Sequence, residues 1–225
     1  NSMQVEIEKI IRSKRKTIAL QVTDDATLIV RAPFETSEQT IRNVVLKHVD
    51  WIERKRKEIL ARDPGFVKKE FVNGEGFLYL GRSYRLTIVK NQNEPLIFNN
   101  GFFLLKDYQP VAYRLFVDWY KEKSYEKISE RAAWFARQTG YAFNTINITN
   151  AFRRWGSCSS KGNLNFSWRL IMAPLSVVDY VVVHELVHIE EKNHTKIFWN
   201  KVKALLPNYE QSKDWLKKYG YLLRL

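Results

Sequence analysis

The chain is poor in the residues that would place it outside the ordinary globular classes. Its 225 residues include one cysteine, Cys158, nine glycines and six prolines. A single thiol cannot close an internal disulfide, so nothing points to an oxidising compartment. Low Gly and Pro with 45% hydrophobic and 14% aromatic residues exclude collagen-like, low-complexity and disordered chains. No apolar run reaches the roughly 18 residues that a membrane-spanning helix needs, and the first dozen residues alternate charge with Val and Ile instead of forming a leader-type apolar block. The expectation is a soluble, cytoplasmic protein with enough chain for one large core or two small ones.

Lys plus Arg number 37 against 24 Asp plus Glu, a formal net charge of +13. The excess is spread along the whole chain. Such a surface attracts anions, nucleotides and nucleic acid among them, although diffuse charge also serves plain solubility.

Residues 5 to 11, 16 to 22 and 27 to 30 have strand-like patterns around an Asp24-Asp25 turn, which reads as an antiparallel start. Thr36 and Gln39 form a capping-box pattern, and Ile41, Val44, Val45, Val49 and Ile52 follow at helical spacing, predicting one helix over 37–61. After the Asp63-Pro64-Gly65 break, short strands are punctuated by Asn73-Gly74, Gly81-Arg82 and Asn99-Asn100-Gly101. Residues 1–107 therefore read as a β-rich, mostly antiparallel module with one helix, and 108–225 as a second domain.

In that second part Pro110 opens a long helix that ends at Gly140. Residues 143–148 and 164–171 read as strands joined as a hairpin around the polar segment Arg153 to Gly162. Pro174, Ser176 and Asp179 signal a helix start, and 177–189 is apolar on nearly every face, as in a helix buried mid-domain. Val181-Val182-Val183 suits a strand equally well; the residues inside the segment decide for helix. Two amphipathic helices, 195–206 and 211–219, close the chain.

Three of the four histidines fall within eleven residues: His184-Glu185-Leu186-Val187-His188, then His194. On a helix, residues four apart share a face, so His184 and His188 can reach one metal ion with Glu185 beside them. Neutral imidazoles suit zinc, and a third protein ligand leaves a position open for water, whose proton a carboxylate can take. His194 is the best third ligand. An unbroken helix would carry it about 9 Å along the axis from His188 and roughly 120° around. The helix must therefore stop first, and Asn193 in a left-handed conformation would stop it. Glu190, Glu191 and Glu210 are alternative third ligands. The spacing equals that of the metzincin signature, but Glu191 stands at that signature's glycine, so the chain is not assigned there.

From Arg154 to Trp215 the chain closely resembles the YgjP-like zinc metallopeptidases, relatives of the SprT-like and WLM groups. The matching residues are Trp155-Gly156-Ser157-Cys158, Leu170, Pro174, Asp179 through His188, Asn193-His194, Phe198-Trp199 and Pro207. The β-rich N-terminal half matches more loosely. The resemblance implies an α+β protein with a zincin (gluzincin-like) C-terminal catalytic domain carrying the HExxH helix. It also implies one zinc ion per chain on His184, His188 and His194, with Glu185 as catalytic base. It identifies the metal better than the substrate.

A peptide or protein substrate is the first expectation. Zincins place an edge strand just before the metal helix, where the Arg153–Gly162 segment lies, and such a strand can pair with an extended peptide. There Arg153 or Arg154 would clamp substrate and Trp155 would wall the cleft. The alternatives are metal-assisted hydrolysis of a nucleotide phosphoanhydride, held by the same arginines, and a nucleic-acid-associated module with a structural zinc. Tyr180, Asn208 and Tyr209 are available oxyanion donors, to none of which a role is assigned. Phe198, Trp199 and Trp215 read as core, and Cys158 as a small hairpin residue in preference to a nucleophile.

Overall fold

The computed structural model describes residues 7–23, 27–61, 69–151 and 154–225. The expected turns at Asp24-Asp25 and Asp63-Pro64-Gly65, and Arg153, lie outside them. The chain divides into two compact units, Asn1–Val67 and Lys68–Leu225. Both mix helices with sheets, an α+β architecture.

The first unit has strands β1 (Lys9–Ser13), β2 (Ala19–Val22) and β3 (Leu28–Pro33) in the order β1-β3-β2. β2 and β3 pair antiparallel, but β1 runs parallel to β3, with Lys9 opposite Ile29; this corrects the expectation of a wholly antiparallel start. Alternate residues Leu28, Val30 and Ala32 are fully buried and share a core with Ile41, Val45 and Ile52. The predicted single helix is two, α1 (Glu38–Lys47) and α2 (Val49–Ala61). His48 leaves helical geometry at φ −116°, ψ 17°, and its Nδ1 lies 2.8 Å from the Val44 carbonyl oxygen. The N-cap is Ser37, whose hydroxyl accepts from the Thr40 N–H, one residue after the expected Thr36.

In the second unit β4 (Gly76–Tyr79), β5 (Arg82–Val89), β6 (Leu96–Phe98) and β7 (Phe102–Leu105) form a sheet ordered β4-β5-β7-β6. Their inward aromatics pack on helix α3 (Ala112–Thr139): Phe116 stacks on Phe77 at 4.3 Å between ring centroids and lies 4.8 Å from Phe102. That packing is why the units divide after Val67, while the sequence placed the division at 107/108. α3 buries Phe116, Tyr120, Ser124, Ile128, Ala132 and Phe135, one stripe at helical spacing. It ends at Gly140 in the left-handed conformation, φ 75°.

The two-residue turn Leu80-Gly81, both with positive φ, closes the β4–β5 hairpin. Its amides donate to the carbonyls of Ile171 and Met172 at 2.8 and 3.0 Å. A Cβ at Gly81 would sit 2.9 Å from Pro174. The hairpin tip thus holds the residues that launch the next helix.

A third sheet holds β8 (Ile146–Thr149), β9 (Gly156–Cys158) and β10 (Leu164–Ser167) in the order β8-β10-β9. The expectation of a hairpin between 143–148 and 164–171 is corrected: β8 runs parallel to β10, the hairpin partner of β10 is β9 from within the polar segment, and 168–171 form a 3-10 turn and not strand. Helix α4 (Leu175–Val187) buries ten of its residues, so the Val181–Val183 run is helical despite its β-branched side chains. Asp179 is no cap: it takes a bidentate ion pair from Arg131 of α3, at 2.6 and 2.8 Å, which fixes α4 against the long helix. α5 (Lys196–Leu205) and α6 (Tyr209–Tyr219) follow. No helix among the described residues is long and apolar enough to cross a membrane.

Candidate metal centre

α4 places His184 and His188 one turn apart on the same face. The helix stops at Val187, and amides of Ile189, Glu190 and Glu191 turn back onto the carbonyls of Leu186 and Val187. The Lys192 ammonium donates to the carbonyls of His188 and Ile189 at 2.8 and 3.2 Å, satisfying helix-end acceptors. Asn193 is not among the positive-φ residues, so the chain reverses through this turn and not through a left-handed Asn193. Thr195 caps α5, its hydroxyl accepting from Phe198 N–H. His194 is returned to its partners by this stop and restart.

The Nε2 atoms of His184 and His194 are 2.9 Å apart, and those of His188 and His194 3.2 Å. A tetrahedral ion with Zn–N distances of about 2.0–2.1 Å has ligand–ligand edges of about 3.3 Å, so the donor set has the size of a coordination shell. Glu190 and Glu191 are instead held by Lys201, at 2.9 and 2.6 Å, and Glu210 is not in the group. His188 Nδ1 lies 2.8 Å from the Glu191 carbonyl oxygen. That oxygen can only accept, so Nδ1 carries the proton and Nε2 keeps its lone pair directed at the other rings. Burial, then the neighbouring His188, His194 and Lys213 charges, push His184 down to about 3, and burial also lowers His194. Both are neutral donors at pH 7. The Phe198 ring lies 4.7 to 4.9 Å from all three imidazoles and Trp199 stacks on His194 at 5.7 Å. These two residues do pack, as expected, but what they pack is the histidine cluster.

Glu185 points to the other side, only 5% exposed. Burial raises its carboxyl to about 7, with the Arg154 charge pulling the other way. A Cβ at Gly156 of β9 would stand 2.6 Å from Glu185 Oε1 and 2.7 Å from Cγ, so the carboxylate occupies the space that glycine leaves. Trp155, Gly156, Tyr180, Val181, His184, Glu185, Lys213 and Leu216 line a cleft of about 270 Å³.

The family model of the YgjP-like metallopeptidase domain matches residues 16–219. The chain belongs to the YgjP-like metallopeptidase family. Membership supports a metal-dependent hydrolase acting on peptides or proteins. Among solved structures, the metallopeptidase zymogen abylysin of Pyrococcus abyssi shares 18% identity, covering 43% of this chain and 96% of its own, at a TM-score of 0.38. No curated protein matches the sequence.

Of the expected substrate residues, Trp155 lines the cleft. Arg154 is exposed and outside that lining, although its charge is felt at Glu185. Cys158 is half-buried, its thiol raised by burial and donating to the Ser159 carbonyl, which suits the bland role. Tyr180 is in the cleft, its hydroxyl pushed up to about 12 by burial. Sequence reasoning missed Lys213, which stands 25 residues beyond His188 with no motif around it.

Proposed function

We propose that this YgjP-like protein is a zinc-dependent peptidase of zincin type, with one ion on His184, His188 and His194 and Glu185 as general base. The observation that carries this reading is the convergence of three Nε2 atoms on one point, one of the three residues, His184, lining a cleft together with the buried Glu185. Three imidazole nitrogen donors are a borderline-soft set that suits zinc, and three protein ligands leave a position open. When bound, zinc supplies Lewis-acid polarisation of a carbonyl and acidifies water towards a pKa of about 7. Glu185, itself raised towards neutrality by burial, is matched to take a proton from the attacking water and return it to the leaving amine. His188 is oriented by the Glu191 carbonyl, and Phe198 keeps water from the far side of the cluster. β9 ends its sheet, so its outer edge suits backbone pairing with an extended peptide.

The phosphoanhydride alternative relied on Arg153 and Arg154; one lies outside the described residues and the other outside the cleft lining, so no observation favours it. Family membership gives no support to a nucleic-acid partner. The test is hydrolysis of unfolded protein or a peptide library by wild type and Glu185→Gln, both loaded with zinc. Loss of about 100-fold or more in kcat with zinc retained is expected; full activity in Glu185→Gln would remove it as the base.

A further inference from the structure

The cleft beside the histidines has walls of two kinds. Trp155, Val181 and Leu216 give it an apolar side, and, among the described residues, the ammonium group of Lys213 on α6 gives it a cationic one. The Lys213 Nζ rests 4.1 Å from the centroid of Trp199, the ring that stacks on His194 and lies 5.9 Å from His184. Its charge is felt at both of those histidines. A cation held there repels any metal ion on the same ligands, which is a cost to the centre unless an anion comes between them. Among the described residues that line the cleft, the one acidic side chain is Glu185, turned onto Gly156. A substrate that carries an anionic group would supply that counter-charge.

Resting on the peptidase reading above, we infer that Lys213 is the specificity-determining residue of the cleft, binding a carboxylate carried by the substrate next to the scissile bond. The size and apolar walls favour one large residue with a free α-carboxylate, so the protein removes residues from the C-terminal end of peptides. A lysine suits this because its flexible stem lets the ammonium now resting on Trp199 swing to the carboxylate. An acidic side chain offers the same chemistry from a second source, and the two are separable by experiment.

Zinc-loaded protein with Glu185→Gln, which binds without turnover, is titrated with N-acetyl-phenylalanine, its amide, and N-acetyl-glutamic acid α-amide, following tryptophan fluorescence. The same is done with Lys213→Met and Lys213→Arg added. The acid should bind about tenfold tighter than the amide, the preference should vanish in Lys213→Met and largely survive in Lys213→Arg, and it should weaken with salt. Because the ion is present throughout, only the part lost with the ammonium counts. In parallel, wild type should cut a peptide library with free C-termini and spare the amidated one. Preference for the glutamic α-amide, equally dependent on Lys213, would support carboxylate recognition with a side chain as its source. An acid-to-amide ratio unchanged in Lys213→Met, or lost equally in Lys213→Arg, would overturn the assignment. An intact Lys213-dependent preference in binding with no hydrolysis of any peptide would count against the peptidase reading and not against Lys213.

Discussion

Gly156 gives the sharpest handle on Glu185 without touching the carboxylate or any histidine. Its backbone is not among the positive-φ glycines, so alanine can adopt it, and the effect of Gly156→Ala comes from one methyl group. That methyl would stand 2.6 Å from Glu185 Oε1, 2.7 Å from Cγ and 2.9 Å from Cδ, where ordinary contact begins at 3.4 Å. The carboxylate must therefore move by about 0.8 Å, or the strand must retreat by as much. Overpacking of this kind costs about 1–3 kcal/mol of stability, and a catalytic group misplaced by about 1 Å costs on the order of 100-fold in rate. The expected outcome is a folded protein with its full metal content, a modestly lower urea midpoint, and kcat down about 100-fold. In a Glu185→Gln background the same methyl should cost almost nothing further in kcat, because the two changes act on one group. A Gly156→Ala enzyme within twofold of wild type, folded and metal-loaded, would refute the idea that Glu185 works from this position.

The metal-free protein should show two opposed pH dependences. The folded chain keeps the Glu185 proton up to about pH 7 while the unfolded chain loses it near 4.5, so that stability is complete below 4.5 and lost as pH rises through 7. His184 stays neutral down to about 3 while the unfolded chain protonates near 6.5, so its contribution is complete above 6.5 and lost as pH falls. Chelated Glu185→Gln should accordingly be about 3 kcal/mol more stable than chelated wild type at pH 8, with little difference near pH 4; equal urea midpoints at pH 8 would contradict the burial argument. Arg131→Met leaves Asp179 buried without its partner, and should cost about 3 kcal/mol, while adding Asp179→Leu should recover part of it; a loss under 1 kcal/mol by urea unfolding would show that the pair does not hold α4.

The site was legible because its information is local. His184, Glu185 and His188 lie within one helical turn, and the need for the helix to stop before His194 follows from rise and twist alone. How it stops was not legible, since Asn193 can take a left-handed conformation but here Ile189–Glu191 and the Lys192 ammonium make the turn. The pairing of β1 with β3 depends on a partner some 20 residues away that no alternation pattern names, and the helix break at His48 rests on one residue with acceptable helix neighbours. The unit boundary after Val67 is set by aromatic packing of Phe77 and Phe102 on Phe116, contacts between segments that look separate in sequence. Lys213 is an ordinary surface lysine until α6 carries it to the cleft.

Metal content is the measurement that bears most directly on the whole account. Protein purified without added metal and dialysed against zinc is analysed for elements beside a His184→Ala, His188→Ala double variant whose fold is checked by circular dichroism. One zinc per wild-type chain, absent from the folded variant, is the predicted result. A wild-type protein that takes up no zinc on titration, or a folded double variant that binds it equally well, would contradict the assignment of the three histidines.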